Sequence, residues 1–314
     1  MILIAGIPSE APVALAIEAA ETCGIGHYVL DQRQHHLCKL TLKLDRDLGW
    51  EGTLDGPAGP IALAAFSGVY VRLMDERFLP DVVATPARSI ERIRAARFHN
   101  LFHDWLNIAP VRVASRPRAM LSNMSKTYQA TLIRKCGLAI PETLVTNDPA
   151  AALDFAELCA AQGDEIIFKS VSGVRSIVQT FGEADRARIA HIRWCPTQFQ
   201  RRVRGYDVRV HVIGQQTFAT RIESSATDYR YAQRQTGDQA ELSAWSLEPS
   251  MAGACIRLAA SLDLPFAGID LRFGHAGEVV CFEVNPCPAY SYYEDRTGAP
   301  IASALIDWLS CQAR

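Results

Sequence analysis

No Cys-x-x-Cys pair occurs among the nine cysteines, and their odd number and scattered placement argue against both a disulfide framework and a zinc site. No apolar run nears the ~20 residues of a membrane span. The opening stretch, MILIAGIPSE, lacks the basic leader of a secretory signal, and its apolar run is only strand length. Neither sign of charge dominates: Lys and Arg number 32, Asp and Glu 34, and no block of like charge stands out. A nucleic-acid or membrane partner is therefore not expected. Neither Gly-x-Gly-x-x-Gly nor a Walker lysine motif is present, which removes the commonest dinucleotide and phosphate sites. Internal repeats and low-complexity tracts are missing as well. What remains is a chain of 314 residues, 49% apolar, with room for one large domain or two to three small ones. A reduced, cytoplasmic setting is expected.

Residues 1 to about 110 open in an α/β manner. ILIAGI reads as a short buried strand, EAPVALAIEAAETCG as an apolar-faced helix and HYVLD as a second strand. LCKLTLKL alternates, DGPAGP reads as a turn, VYVRL as a further strand, and Pro86 to Asn107 has helical spacing. The pair His35-His36 has no carboxylate or cysteine pattern beside it and reads as surface. From Val111 a Pro-containing loop leads to a helix capped by Ser122, Asn123 or Ser125 and ended by Gly137. Lys126 falls in its first turn. EIIFKSVSGVRSIVQTF reads as two strands around a turn at Ser170 to Ser176, with Lys169 on the strand edge.

The densest alternation runs through QRRVRGYDVRVHVIGQQTFATRIES. Asp207, Arg209 and His211 share one strand face, Val208, Val210 and Val212 the other. On the next strand Arg221 and Glu223 share a face opposite Ile222. Charged residues on neighbouring strands with apolar backs suggest the floor of a polar cleft. Further on, AGIDLRF and EVVCFEV are joined by Gly274-His275-Ala276-Gly277 and read as an antiparallel hairpin. Period two puts Glu283 and Asn285 on one face and Phe282 and Val284 on the other, with Asp270 and Arg272 able to join the polar side. Asp270, Glu283 and Asn285 form an all-oxygen cluster of the kind that suits magnesium or manganese carried with nucleotide phosphates. On these residues alone, solvated carboxylates on an outer hairpin face stand as an equal reading. Pro286 ends the strand, and Thr297-Gly298-Ala299-Pro300 starts a final helix burying Ile301, Ala304, Leu305, Trp308 and Leu309.

Taken with the tail YSYYEDRTGAPIASALIDWL, the hairpin resembles the C-terminal metal signature of ATP-grasp enzymes, in the branch of ribosomal-protein glutamate ligases and microviridin-type peptide ligases. Upstream, NMSK leading into a helix, then GLAIP and a Thr-rich strand, resembles the start of the same fold. The resemblance spans roughly residues 115 to 312. It implies an α/β and α+β chain, an ATP-grasp fold of two α+β subdomains clasping ATP behind a small α/β domain. The expected divisions are 1–114, 115–195 and 196–314. It further implies that Lys126 and Lys169 meet nucleotide phosphates and that Ser172 and Gly173 lie in a loop over them. By the same match, the backbone of Gln200, Arg201, Arg202 and Val203 meets adenine and Asp207 lies near the ribose. Asp270, Glu283 and Asn285 hold the metal ions, while Arg209, with Arg221, stabilises the transferring phosphoryl group.

The implied activity is ATP-dependent ligation of a carboxylate to an amine through an acyl phosphate, on an amino acid, peptide or protein side chain. The implied cofactors are ATP and Mg2+, or Mn2+. A kinase of the same fold acting on a small-molecule hydroxyl and a non-catalytic nucleotide-binding regulator are the alternatives. A homodimer is the default expectation for the assembly.

Overall fold

The computed structural model describes residues 1–44, 49–171, 178–224, 237 and 240–311. The first unit is built on four parallel strands, β1 (Ile2–Gly6), β2 (His27–Asp31), β6 (Gly68–Arg72) and β7 (Arg112–Ala114), in the order β2-β1-β6-β7. Every residue of β1 is buried, as the unbroken apolar run ILIAG requires of a central parallel strand covered on both faces. One cover is the helix Ala11–Thr22; another is Ile90–Ile108, whose N-cap Ser89 accepts from Arg92 N and whose Phe102, Trp105 and Leu106 are buried. Between β2 and β6 the chain forms a separate antiparallel sheet, β3 (Lys39–Leu44), β4 (Trp50–Gly56) and β5 (Gly59–Ala62). The DGPAGP turn closes its second hairpin, with Gly59 at φ 95°. His35 is not a surface residue: it is 5% exposed, and its Nε2 lies 3.1 Å from Asp81 Oδ2, a carboxylate 46 residues away that sequence spacing cannot show.

The second sheet is antiparallel, in the order β10-β9-β11-β8, from β8 (Thr143–Thr146), β9 (Ile166–Ser170), β10 (Gln179–Thr180) and β11 (Thr197–Arg201). The helix Pro149–Ala161, capped by Asp148, covers the face carrying Ile166, Phe168 and Phe199. The opposite face, with Ile167, Lys169, Gln198 and Gln200, is turned toward the third sheet.

That third sheet has five antiparallel strands, ordered β14-β13-β12-β15-β16: β12 (Gly205–Ile213), β13 (Gln216–Glu223), β14 (Glu241–Trp245), β15 (Phe266–Gly274) and β16 (Val279–Asn285). Val208, Val210, Val212, Ile269, Leu271, Cys281 and Val284 back it and pack on the helix Pro249–Ser261. The helix Lys126–Lys135 also buries Ile133 in this core. It therefore packs with the third sheet rather than with the second, although the sequence division grouped it with the latter. Its N-cap is Ser125, which accepts from Tyr128 N, and Gly137 follows its end at φ 87°. The final helix, Ile301–Ser310, buries Ile301, Ala302, Ala304, Leu305, Ile306 and Leu309 between the first and third sheets. Trp308 is only partly buried and lies under the Arg112 guanidinium, 5.2 Å from its ring centre. Gly68 permits the close approach of this helix, because a Cβ there would stand 2.4 Å from Leu309 O.

Candidate active site

The second and third sheets face each other across an open cleft lined by residues of both. Its floor is the front of the third sheet. The register sets Asp207 opposite Arg272, Arg209 opposite Asp270 and Asp270 opposite Glu283, with Gly268 opposite Asn285. Directly opposed residues project to the same side, so the period-two reading of the hairpin becomes a continuous polar row. Arg209 Nη1 lies 2.5 Å from Asp270 Oδ1, and Asn285 Nδ2 donates to Asp270 Oδ2 at 3.2 Å. Lys126 Nζ reaches Glu283 Oε2 at 2.7 Å and Asn123 Oδ1 at 3.0 Å. The floor thus runs Lys126, Glu283, Asp270, Arg209, two adjacent carboxylates with a cation paired to each at either end. Beside it Arg272 forks onto Asp207, with both N–O distances 2.8 Å, and its Nη1 donates to Val203 O. Lys169, Gln198 and Gln200 face this row from the second sheet.

Gly268 makes the Arg209 position available. A Cβ there would lie 2.4 Å from Nη2 and 2.6 Å from Cζ of Arg209, so the guanidinium lies directly over the glycine. Arg209 is 6% exposed and also sits over the Tyr293 ring, 5.7 Å from its centre. His211, next along the same face, is fully buried against Tyr293, with ring centres 4.9 Å apart. Burial, and then the Arg209 charge, hold its pKa well below the usual histidine value, so its ring is neutral.

Three expectations are altered. Arg221 does not join the row. The pairing Asp207 to Ile222 and Val208 to Arg221 places its side chain on the opposite face, under Tyr206 (4.0 Å) and Trp245 (5.1 Å) and paired with Glu223. Ile222 takes its place at the cleft. Phe282 does not share the back face with Val284. A bulge sets Asp270 opposite Glu283 but Leu271 opposite Cys281, leaving Phe282 as the extra residue. Phe282 turns into the cleft beneath Arg272, 5.3 Å from its guanidinium. In the segment expected to meet adenine, the side chains of Arg201 and Arg202 bind Asp164 (3.3 Å) and Glu165 (2.8 Å), and their backbone N–H groups donate to Glu142 O and Glu165 O. Two of the backbone donors expected at adenine are therefore already engaged, while Gln200 faces the cleft and donates to Thr143 Oγ1. Ser172 and Gly173 lie outside the described residues.

Sequence reading missed Gln129, which is 1% exposed and bonds the Val284 backbone at both N and O. It also passed over Arg72, which joins Glu10 to the loop after β16 through Cys287 O at 3.1 Å and Cys287 Sγ at 3.2 Å. Burial raises the Cys287 thiol pKa despite that guanidinium, so it is not poised as a thiolate nucleophile. Among the described residues no cluster of three His, Cys, Asp or Glu side chains is present. The donor set is instead two carboxylates and an amide, hard oxygen ligands that fit Mg2+ when phosphate oxygens complete its shell.

Two antiparallel sheets clasping a cleft, one bearing lysine and amides and the other an acid–amide–arginine row, define a nucleotide clasp of the ATP-grasp class. The chain belongs to the RimK-like ATP-grasp family, whose domain matches residues 124–309. It is 27% identical over 200 residues to the ribosomal protein bS6–L-glutamate ligase of Escherichia coli O81 (strain ED1a). That match covers 60% of this chain and 64% of the relative, so the chain spans less than two thirds of the curated protein's length. Solved structures agree over nearly the whole chain. ATP-grasp ligase PsnB, complexed with minimal precursor, Mg and ADP, is 26% identical at TM-score 0.76, covering 98% of this chain and 96% of its own. A RiPP-associated ATP-grasp ligase of Chryseobacterium gregarium, in complex with ADP and a leader and core peptide, matches at 20% identity and TM-score 0.82. The match covers 98% of this chain and 96% of that one; at that identity it supports the fold alone.

Proposed function

We propose that the chain is an ATP-dependent carboxylate–amine ligase that forms an amide or peptide bond through an acyl phosphate. The observation that carries this reading is the row of Lys126, Glu283, Asp270 and Arg209, two carboxylates flanked by two cations, with Asn285 beside it and Lys169 opposite. A metal–triphosphate can settle on such a row without leaving either sign of charge unmatched. Asp270, Glu283 and Asn285 would hold the metal, which when bound supplies positive charge to the transferring phosphoryl group. Lys126, Lys169 and Arg209 hold the phosphates from the sides. Arg209, buried and fixed over Gly268, offers a preorganised charge to the developing transition state. Phe282, Ile167 and Ile222 are among the apolar residues that line the cleft and limit water there. A substrate carboxylate oxygen attacks the γ-phosphorus, the bond to the β–γ bridging oxygen breaks, ADP leaves and an acyl phosphate remains. An amine then attacks the acyl carbon and phosphate leaves.

A peptide or protein side chain is the proposed substrate. PsnB was solved with a minimal precursor, and some of the curated relatives are named ribosomal protein bS6–L-glutamate ligases. The cytoplasmic setting belongs to the same proposal and is supported by nine cysteines, none of them disulfide-bonded. The proposed homodimer is open to test by light scattering.

The test begins with melting in Mg2+ and the ATP analogue AMPPNP. At a hundredfold its Kd the ligand should stabilise by ~2.7 kcal/mol. Incubation with ATP, carboxylate-bearing peptides and hydroxylamine should then release phosphate and give a hydroxamate. Phosphate retained on a hydroxyl product would indicate a kinase, and no melting shift at saturating AMPPNP would remove both readings.

A further inference from the structure

β16 is the edge strand of the third sheet, and among the described residues two groups bond the backbone of its outer side. Ala139 O accepts from Cys281 N at 2.8 Å, an ordinary backbone bond. Three residues further along, the neighbour is a side chain. Gln129 Nε2 donates to Val284 O at 2.8 Å, and Val284 N donates to Gln129 Oε1 at 3.1 Å. The amide makes both bonds that a further strand would make at that point. Val284 is the residue between Glu283 and Asn285, so the splinted peptide carries two of the three proposed metal donors on either side of it. Gln129 stands one turn after Lys126 on the same helix, and Lys126 Nζ meets Glu283 Oε2 at 2.7 Å.

We propose that Gln129 is a positioning residue for the metal–nucleotide site. By bonding the Val284 peptide it fixes the helix that carries Lys126 against the strand that carries Glu283 and Asn285. It thereby sets both the Lys126–Glu283 contact and the orientation of the two donors. This rests on the ligase reading of the same cleft. A buried primary amide is suited to the task because it offers a donor and an acceptor side by side, matching one peptide edge. Asn is a methylene too short to reach both atoms from the same helix position. Glu keeps the acceptor for Val284 N but sets an oxygen against Val284 O. Met fills the volume and makes neither bond.

A purely structural splint would lower stability without altering how the folded protein binds metal. The experiment therefore measures AMPPNP affinity across a Mg2+ titration for wild type, Gln129→Glu and Gln129→Met, at a temperature where each is folded. The expected result is a rise of about tenfold or more in the Mg2+ concentration needed for half-maximal binding in Gln129→Met, the scale of lost outer-shell support for metal ligands. Gln129→Glu should fall between it and wild type, and excess Mg2+ should recover binding in both. A wild-type Mg2+ profile in either variant, whatever its melting temperature, overturns the proposal. If Gln129→Met does not fold, Gln129→Glu decides by the same criterion. A wild type that binds no Mg·AMPPNP would sink the functional reading, and this inference with it. Normal wild-type binding with unchanged variants would sink the inference alone.

Discussion

Replacing Gly268 by Ala puts a carbon where the Arg209 guanidinium lies, with Nη2, Cζ and Nε at 2.4, 2.6 and 2.8 Å from the ideal Cβ. No real Cβ tolerates such contacts, so the arginine moves. It cannot do so freely, because it is 6% exposed, bonded to Asp270 and lodged over Tyr293. Losing the charge-assisted bond to Asp270 costs about 1.5–3 kcal/mol, and overpacking a filled site adds about 1–3 kcal/mol. A destabilisation of about 2.5–6 kcal/mol follows, roughly 4–9 °C in Tm for a protein of this size. Thermal melting of Gly268→Ala, Arg209→Ala and the double variant measures it without any substrate. If the glycine acts through the arginine, the second substitution costs little once the first is made, and the cycle shows a coupling of about 2 kcal/mol or more. Additive effects, or a Gly268→Ala protein with wild-type Tm, would refute the argument that this glycine exists to seat Arg209. The Mg·AMPPNP shift should weaken in Gly268→Ala too, since a displaced guanidinium no longer faces the phosphates.

Asp270→Ala is a poor probe of metal binding, because breaking the pair leaves a buried arginine charge at about 3–5 kcal/mol. Asp270→Asn keeps an acceptor for Arg209 and should stay folded while losing the Mg-dependent part of the AMPPNP shift; an undiminished shift would remove Asp270 from the metal site. Arg221→Met should leave that shift intact and lower stability by about 1–2 kcal/mol through lost contact with Tyr206 and Trp245. A weakened shift would return Arg221 to the cleft. Burial depresses the pKa of His211, His99 and His103. The unfolded chain therefore takes up protons near pH 6.5 that the folded chain does not. Stability from these groups is complete above that pH and falls as pH drops below it, by up to ~1.4 kcal/mol per unit for each histidine. Urea unfolding at pH 7.5 and 5.5 should show the loss, and His211→Phe should reduce it; an equal loss in the variant would contradict the burial of a neutral ring.

Several parts of the site were legible because they are local. Period-two alternation in GIDLRF and CFEVN already put Asp270 with Arg272 and Glu283 with Asn285, and YDVRVHV put Asp207 with Arg209 and His211. Helix ends were legible for the same reason, with Gly137 beyond a C-terminus and the cap narrowed to Ser122, Asn123 or Ser125, of which Ser125 is the one used. Alternation, however, relates side chains only within one strand. Which side of β13 faces the cleft depends on its register with β12, and the pairing of Asp207 with Ile222 sent Arg221 to the back. The same limit hid the bulge that turns Phe282 inward, since one extra residue opposite Asp270 reverses the parity that spacing predicts. Gln129 gave no signal at all. Its partner lies 155 residues away, and a glutamine on a helix is ordinary until an edge strand is laid beside it. The sequence by itself determined which residues could share a face and which chemistry those faces could carry. Register, the bulge and the docking of one helix on one strand edge are long-range contacts, and only the tertiary structure decided them.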